Sequence, residues 1–355
     1  MDILMEDFAN NLDQAIEKGI DYLHQHQYPN GEFCSYISAD DPMEKWTVPD
    51  STVFPAALIG SSLIFLQGHP KVEEMLNKTI PFLRYQMNRG GVWNHFTHLH
   101  RLRYLCPLDV DDTATVCALF KERNERVPNN LQLLLDNRNK DKLFYSWFIF
   151  RLKWNPNPMY WRLVARELLN PVTSFVFWKK MECGRDDIDG VVNANLMYYL
   201  GDTEYTQPII QLLIKIIEEK KEGDCDKWYR NPFTVYYFMS RNYYIGITKL
   251  EAIKQPIIDR ILATSRPDGR LGGSILDTAL AVSTLLNFRY NCAQLENAAR
   301  FLISTQRATG EWERWLLYYG GPKLLQGWGS EEITTGFCLE ALARYRKEME
   351  AIKID

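Results

Sequence analysis

Three carboxylates stand within four residues at Asp109-Val110-Asp111-Asp112, just ahead of Thr113-Ala114 and a helical stretch. So much like charge at one helix start costs stability, and mutual repulsion favours keeping one of the three protonated. A neutral carboxylic acid facing an apolar cavity is a general acid. A solvated acidic helix start is the plainer alternative. The chain supplies its own comparison. Asp or Ser beside Thr recurs at Asp50-Ser51-Thr52 and Asp277-Thr278, where a side-chain oxygen caps unpaired backbone N–H groups. Asp112-Thr113 fits that pattern. Asp109 and Asp111 do not, because the matching positions before Asp277 are the uncharged Ser274 and Leu276.

The elements that must position these groups are helices. Phe8, Leu12, Ile16, Ile20 and Leu23 fall on one stripe, and Val72, Met75, Leu76, Ile80, Leu83 and Met87 on another, the spacing of helices with one buried face. Further stripes run through 206–220, 250–264, 279–288 and 331–345, and no run of alternating strand residues stands out. A repeat overlies the spacing. A helix closes on Leu-x-x-x-Gln or a near variant, a Gly-plus-aromatic turn follows, and a new helix opens on an acidic residue or Ser with Thr. Gln27, Gly31-Glu32-Phe33 and Asp50-Ser51-Thr52 form one copy; Gln86, Gly90-Gly91-Val92-Trp93 and Asp112-Thr113 form another. A partial copy holds Asp268-Gly269 and Asp277-Thr278, and the last holds Gln306, Gly310-Glu311-Trp312 and Glu331-Glu332-Ile333-Thr334. Each unit is a helical hairpin unable to bury its apolar face alone, so stacked units share a core. The pattern predicts an all-α fold, a closed α/α barrel with a central cavity. Pro and Gly are spread evenly, so 1–355 reads as a single domain.

Composition narrows the function. Ten Trp, 19 Tyr and 17 Phe exceed what a core needs; some pack the repeats, and others would line a pocket for an apolar or cationic species. A net charge of −4 with both signs mixed excludes a basic stripe for nucleic acid. The seven cysteines are scattered without Cys-x-x-Cys, which fits reduced thiols in a cytoplasmic protein better than disulfides or a zinc site. The stretch Val53 to Leu66 is too short for a membrane span, and the first residues lack a signal-peptide pattern. A soluble protein is expected, with transient membrane-surface contact if its substrate is a lipid.

Gly90-Gly91-Val92-Trp93 followed by Pro107-Leu108-Asp109-Val110-Asp111-Asp112-Thr113-Ala114 resembles the DxDD region of class II terpene cyclases. Gly310-Glu311-Trp312 through Arg314-Trp315 to Tyr318-Tyr319-Gly320 resembles their Gly-Ser-Trp…Arg-Trp segment, and Leu276-Asp277-Thr278-Ala279-Leu280 resembles another of their repeat helices. The matches run from about residue 80 to 345. The resemblance implies an (α/α)6 barrel in which the middle carboxyl, Asp111, donates a proton to an alkene while Asp109 and Asp112 polarise it. Asp189-Gly190-Val191-Val192-Asn193-Ala194-Asn195 resembles the partner helix of the family. Squalene–hopene cyclases hydrogen-bond the acid there with a His; Asn195 stands in that place, as is usual for cyclases of the diterpene type. Asn193 and Asn195 alternatively satisfy buried backbone groups.

The chain is about half as long as the two-domain members of that family and resembles the single-domain cyclases of bacterial meroterpenoid pathways. The implied substrate is a linear polyprenyl chain of about four isoprene units on an aromatic acid or phenol head. Trp93, Trp315 and Tyr318, with Asn193, are the candidate substrate contacts, and Trp315 matches a family pocket position. Trp312 is assigned to repeat packing. Protonation needs no cofactor; Mg²⁺ would enter only if the substrate were a free prenyl diphosphate, the runner-up reading. A toroid that binds lipid or protein without catalysis is the reading from another class, and Asp109 and Asp111 argue against it. His95, His98 and His100 mimic a metal site without a matching carboxylate pattern. Asp40-Asp41-Pro42-Met43-Glu44 reads as a solvated loop, and Asp224-Cys225-Asp226 lacks the zinc spacing of protein prenyltransferases.

Overall fold

A computed structural model describes residues 2–149, 151, 154–181, 183–320 and 326–354. The stripe from Phe8 to Leu23 lies on α1 (Asp2–His26) and is buried at all five positions, because side chains at i and i+4 share one helix face. The chain continues through α2 (Phe54–Leu63), α3 (Pro70–Tyr85), α4 (Val110–Glu122), α5 (Leu131–Asp136), α6 (Pro158–Leu169) and α7 (Pro171–Lys180). The second half holds α8 (Gly190–Leu200), α9 (Gln207–Glu218), α10 (Pro232–Tyr244), α11 (Glu251–Leu262), α12 (Ile275–Asn287), α13 (Ala293–Thr305) and α14 (Glu331–Ile354).

Two kinds of helix alternate. α9 buries one stripe, Ile209, Ile210, Leu213, Ile216 and Ile217, and α3 does the same with Val72, Met75, Leu76, Ile80 and Leu83. α4 is buried at every position from Val110 to Phe120, and α12 from Leu276 to Asn287. A helix without an exposed face belongs at the centre of the molecule. The central helices pack in succession, α2 on α4, α4 on α8, α8 on α10, α10 on α12 and α12 on α14, and α14 packs back on α2. Among the described residues no helix is long and apolar enough to cross a membrane.

The repeat turns tie the two kinds of helix together. Gly31 and Gly310 have φ of +92° and +104°, and a Cβ on either would fall 2.1 Å from the Lys78 carbonyl or 2.3 Å from that of Lys18. Only glycine takes that backbone and permits that approach. The repeat glutamines bridge the same junctions. Gln27 donates to the Met75 and Gly31 carbonyls, and Gln306 to those of Ala15 and Gly310.

The expectation of an all-α fold is corrected by two small antiparallel sheets. One runs β2 (Thr47–Asp50), β1 (Ser35–Ser38), β7 (Gln326–Gly329), β6 (Leu316–Gly320); the other runs β3 (Trp93–Asn94), β4 (Leu108–Asp109), β5 (Trp147–Phe148). Strands of two to five residues are too short to show a period of two, and they form where connections between helices meet in space. Their place matters more than their size. Asp109 pairs with Trp93 on one side and Trp147 on the other, so the second sheet fixes the chain just where α4 begins.

Candidate active site

α4 opens on Asp109, whose Oδ1 accepts the backbone N–H of Asp111 at 2.6 Å and of Asp112 at 3.3 Å. This is an N-cap, with Asp109 satisfying two donors that the first turn leaves unpaired. The repeat comparison assigns the capping role to Asp112-Thr113; the structure corrects this and gives it to Asp109. Thr113 ties the helix start to the strand beside it. Its hydroxyl donates to the Asp109 carbonyl at 2.5 Å and accepts the Trp93 N–H at 3.0 Å.

The cap turns Asp111 inward, where both its oxygens are held. Asn195 on α8 donates to Oδ1 at 2.7 Å, and the Tyr229 hydroxyl donates to Oδ2 at 2.5 Å. The direction of the Asn195 amide is fixed from behind, because its Oδ1 accepts from Arg241 on α10 at 2.7 Å and a guanidinium only donates. Oδ1 of Asp111 thus faces a fixed N–H, whereas Oδ2 faces a hydroxyl that can rotate to donate or to accept, so Oδ2 is the oxygen suited to carry the proton of a neutral carboxyl. Burial drives the Asp111 carboxyl up to about 6 against the pull of the Tyr229 and Asn195 hydrogen bonds, with Asp112 adding to the rise. Burial and the charges of Asp112 and Asp111 push Asp109 well above the ordinary carboxylate range despite its two N–H partners. Asp112 has one oxygen without a hydrogen-bond partner and the other 3.7 Å from Nδ1 of His95.

All three carboxyls line one cavity, with about 550 Å³ of space between its walls and in its open mouth. Its walls are mostly aromatic. Tyr318 and Trp328, cross-strand partners on β6 and β7, stack with centroids 5.3 Å apart, and Tyr318 meets Phe54 edge-on at 5.4 Å. Trp147 packs edge-on against Phe177 and Trp228 at 5.6 and 5.3 Å, and all three line the cavity. The arrangement is an acid set in an apolar, ring-lined pocket, where positive charge meets π faces.

Asp109, Asp111, Asp112, Asn195 and Tyr318 come together here. Three other predicted residues do not. Trp93 is fully buried away from the cavity, donating from Nε1 to the Leu83 carbonyl at 2.7 Å. Trp312 donates to the Leu302 carbonyl at 2.7 Å as well, and its backbone N–H donates to the Thr335 hydroxyl. Trp93 is therefore a repeat-packing residue like Trp312, because its indole fills the hairpin between a helix end and the next inner helix. Trp315 lies on the rim of a separate hollow with Asp268, Arg270 and Glu313; the irregularity in β6 between Leu316 and Tyr318 delivers Tyr318, and not Trp315, to the cavity. Asn193 clips backbone, accepting from Phe144 N–H and donating to the Phe144 and Asp189 carbonyls.

Several residues of the site carry no sequence signal. Tyr229 is placed by Asp226, which accepts the N–H groups of Trp228 and Tyr229 with one oxygen and that of Val191, in the first turn of α8, with the other. Asp224-Cys225-Asp226 is thus a loop clamp. The three histidines diverge: His95 faces Asp112, His98 lies 5.3 Å from the Tyr85 ring, and His100 bonds Asp50 at 2.8 Å. Among the described residues no group of three His, Cys, Asp or Glu is arranged to hold a metal ion.

No protein-family model matches the chain, and no curated protein matches its sequence. Solved structures match its shape. A variant of the type II terpene cyclase MstE from Scytonema, in complex with geranylgeranyl dihydroxybenzoate, superposes with a TM-score of 0.69 at 15% identity, covering 96% of this chain and 99% of that one. The chain has the fold of the type II terpene cyclases. A second MstE variant, in complex with the product merosterolic acid A, gives a TM-score of 0.66 at 13% identity over 96% and 99%. A protein from Actinoplanes superposes on the chain with a TM-score of 0.64 at 16% identity over 94% of this chain and 99% of that one.

Proposed function

We propose that this chain is a class II cyclase that protonates the terminal alkene of a linear polyprenyl chain and closes it into a polycyclic terpenoid. The observation that carries the reading is Asp111, buried at the wall of an aromatic cavity with Asn195 on one oxygen and Tyr229 on the other. The alkene π pair takes the proton from Oδ2 of Asp111, which leaves a carboxylate held by two hydrogen bonds and a tertiary carbocation. Internal alkenes attack in turn, each forming one C–C bond and moving the cation along the chain. Loss of a proton, or capture by water, ends the sequence. The carboxylate left on Asp111 faces the same cavity, so a cation is favoured there once it forms. Phe54, Tyr318 and Trp328 offer ring faces to it, each worth about 2 kcal/mol or more when dry.

The finer parts of the reading have their own supports. The ring α2-α4-α8-α10-α12-α14, flanked by stripe-burying helices, favours an (α/α)6 barrel of helical hairpins. A main hydrophobic cluster running from Phe8 to Met349, with a small second one around Trp147 and Phe177, favours a single domain over 1–355. MstE variants bound to geranylgeranyl dihydroxybenzoate and merosterolic acid A share the fold and favour a geranylgeranyl chain on an aromatic acid or phenol head. Every step is a proton transfer or an alkene addition, so the reaction draws on no cofactor. Incubation with a geranylgeranylated hydroxybenzoate, geranylgeranyl diphosphate and squalene tests the proposal. The expected result is a product isomeric with the first substrate, or heavier by one water where water ends the sequence, and carrying fewer alkenes by NMR. Recovery of all three substrates unchanged contradicts it, and turnover of the diphosphate alone would move the head group.

A further inference from the structure

We propose that Arg241 is the counter-charge of the acid, a positioning residue that acts on Asp111 through Asn195. The proposal rests on the reading of Asp111 as proton donor, and its central measurement does not require a substrate.

Arg241 is 7% exposed, with its guanidinium 4.5 Å from the Tyr198 ring centroid, 4.7 Å from that of Phe238 and 5.3 Å from that of Tyr237. A buried cation is costly unless it is paired. Arg344, on α14, shows the usual solution: it too lies between aromatic rings, those of Phe65 and Tyr244, and it bonds Glu340 at 3.1 Å. Arg241 has no carboxylate within salt-bridge range among the described residues, and its Nε has no acceptor. Its hydrogen bond runs to Asn195 Oδ1, and Asn195 passes an N–H on to Asp111. Guanidinium, amide and carboxyl form one line from α10 through α8 to α4. The charge acts on the carboxylate far more than on the neutral acid, so it favours the state after proton transfer over the state before. Its effect opposes burial, which weakens Asp111 as an acid.

The other groups facing this line are accounted for. Asp111 meets Tyr229 from the loop before α10, Asp109 and Asp112 from its own helix, and His95 beyond Asp112. Arg241 meets Tyr198 of α8 and Tyr237 of its own helix, and Tyr237 passes its hydroxyl to Glu340. Glu340 is already engaged by Arg344 and Ser62. Arg241 is thus the cation with an open hydrogen-bond path to the acid.

The test is carbon-13 NMR titration of aspartate-labelled full-length protein, with the Asp111 signal assigned by its loss in Asp111→Asn. In Arg241→Gln the midpoint for Asp111 is expected to rise by about one pH unit, and Arg241→Lys restores most of it. With a geranylgeranylated hydroxybenzoate, Arg241→Gln should lower kcat about tenfold, hold KM within about twofold and move the pH limb upward by the same amount. If Arg241→Gln does not fold, Asn195→Leu removes the bridge, leaves the arginine in place, and is expected to raise the midpoint as well. An Asp111 midpoint unmoved in a folded Arg241→Gln, or in Asn195→Leu, overturns the proposal and makes Arg241 a packing residue. A wild-type protein that titrates as expected but turns over no prenyl substrate counts against the acid reading and leaves this coupling standing.

Discussion

At the start of α12, Ser274 accepts the Asp277 N–H, and Asp277 accepts the Ser274 N–H in return, the reciprocal box that closes many helices. Thr278 donates to the Ser274 carbonyl and accepts the Leu271 N–H. At the start of α4 the same positions hold Asp109, Asp112 and Thr113, and Thr113 repeats both bonds of Thr278, with Trp93 in the place of Leu271. Two things differ. Asp109 caps the first turn alone, which releases Asp112 from the box toward His95. The fully buried Leu276 is replaced by Asp111. One frame therefore serves both helices, and the chemistry proposed for α4 comes from putting a carboxyl where the frame expects a leucine, then giving it Asn195 and Tyr229.

The largest break in that comparison is Asp111→Asn. The amide is nearly isosteric but cannot donate the proton, and turnover is expected to fall by about 10²–10⁴-fold or more, measured as product formed in single-turnover incubations. The same variant should be the more stable protein at neutral pH. The Asp111 carboxyl rises from an ordinary 3.8 to about 6 on folding, so its contribution is present below 3.8 and lost as pH climbs through 6. At about 1.4 kcal/mol for each pH unit, wild type gives up roughly 3 kcal/mol above pH 6 that Asp111→Asn keeps. Denaturant midpoints for the two proteins at pH 4 and pH 8 check the sign.

The reverse exchange, Leu276→Asp, puts a carboxyl into the α12 frame. The position does not bring Asn195 and Tyr229 with it, so the expected result is a loss of about 3–5 kcal/mol at pH 8, smaller at low pH where the carboxyl stays neutral. Two further substitutions separate frame from site. Trp93→Leu and Trp312→Leu should each lower stability by roughly 3 kcal/mol or less, since Trp→Ala is the severer case, with no change in product pattern. Trp315→Leu, at the rim of another hollow, should cost about 1 kcal/mol or less and leave the product intact. Early-terminated products from Trp315→Leu would return that ring to the cavity. For wild type, kcat/KM should fall as pH rises through about 6, because the reactive form is the protonated one.

How much of this was legible in the sequence follows from which interactions are local. The amphipathic stripes predicted α1, α3, α9 and α11 because one-sided burial leaves a period, and the Asp109-to-Asp112 spacing pointed to an acid because the repeat supplied an internal reference. Tyr229 was invisible: it lies 118 residues from Asp111, on a loop hung from Asp226. Arg241 sits in a helix buried at nearly every position, where nothing local marks one polar residue from the next. The tryptophans misled for the opposite reason. Trp93 stands in the same repeat position as Trp312, whose indole packs the hairpin in the same way, while Trp315 lies three residues beyond that position, where only the closing of β6 on β7 decides which ring reaches the cavity. Asn193 and Asn195 differ by two residues on one helix, which sends the first to the Phe144 backbone and the second to the acid.

The central claim is that Asp111 delivers a solvent-derived proton to an alkene. Turnover of a geranylgeranylated hydroxybenzoate in D₂O, with the product analysed by mass spectrometry and deuterium NMR, tests it most directly. One deuterium per product molecule is predicted, placed on the terminal gem-dimethyl ring, with none formed by Asp111→Asn. A cyclised product without deuterium, or one that Asp111→Asn still makes with the same label, would contradict the account.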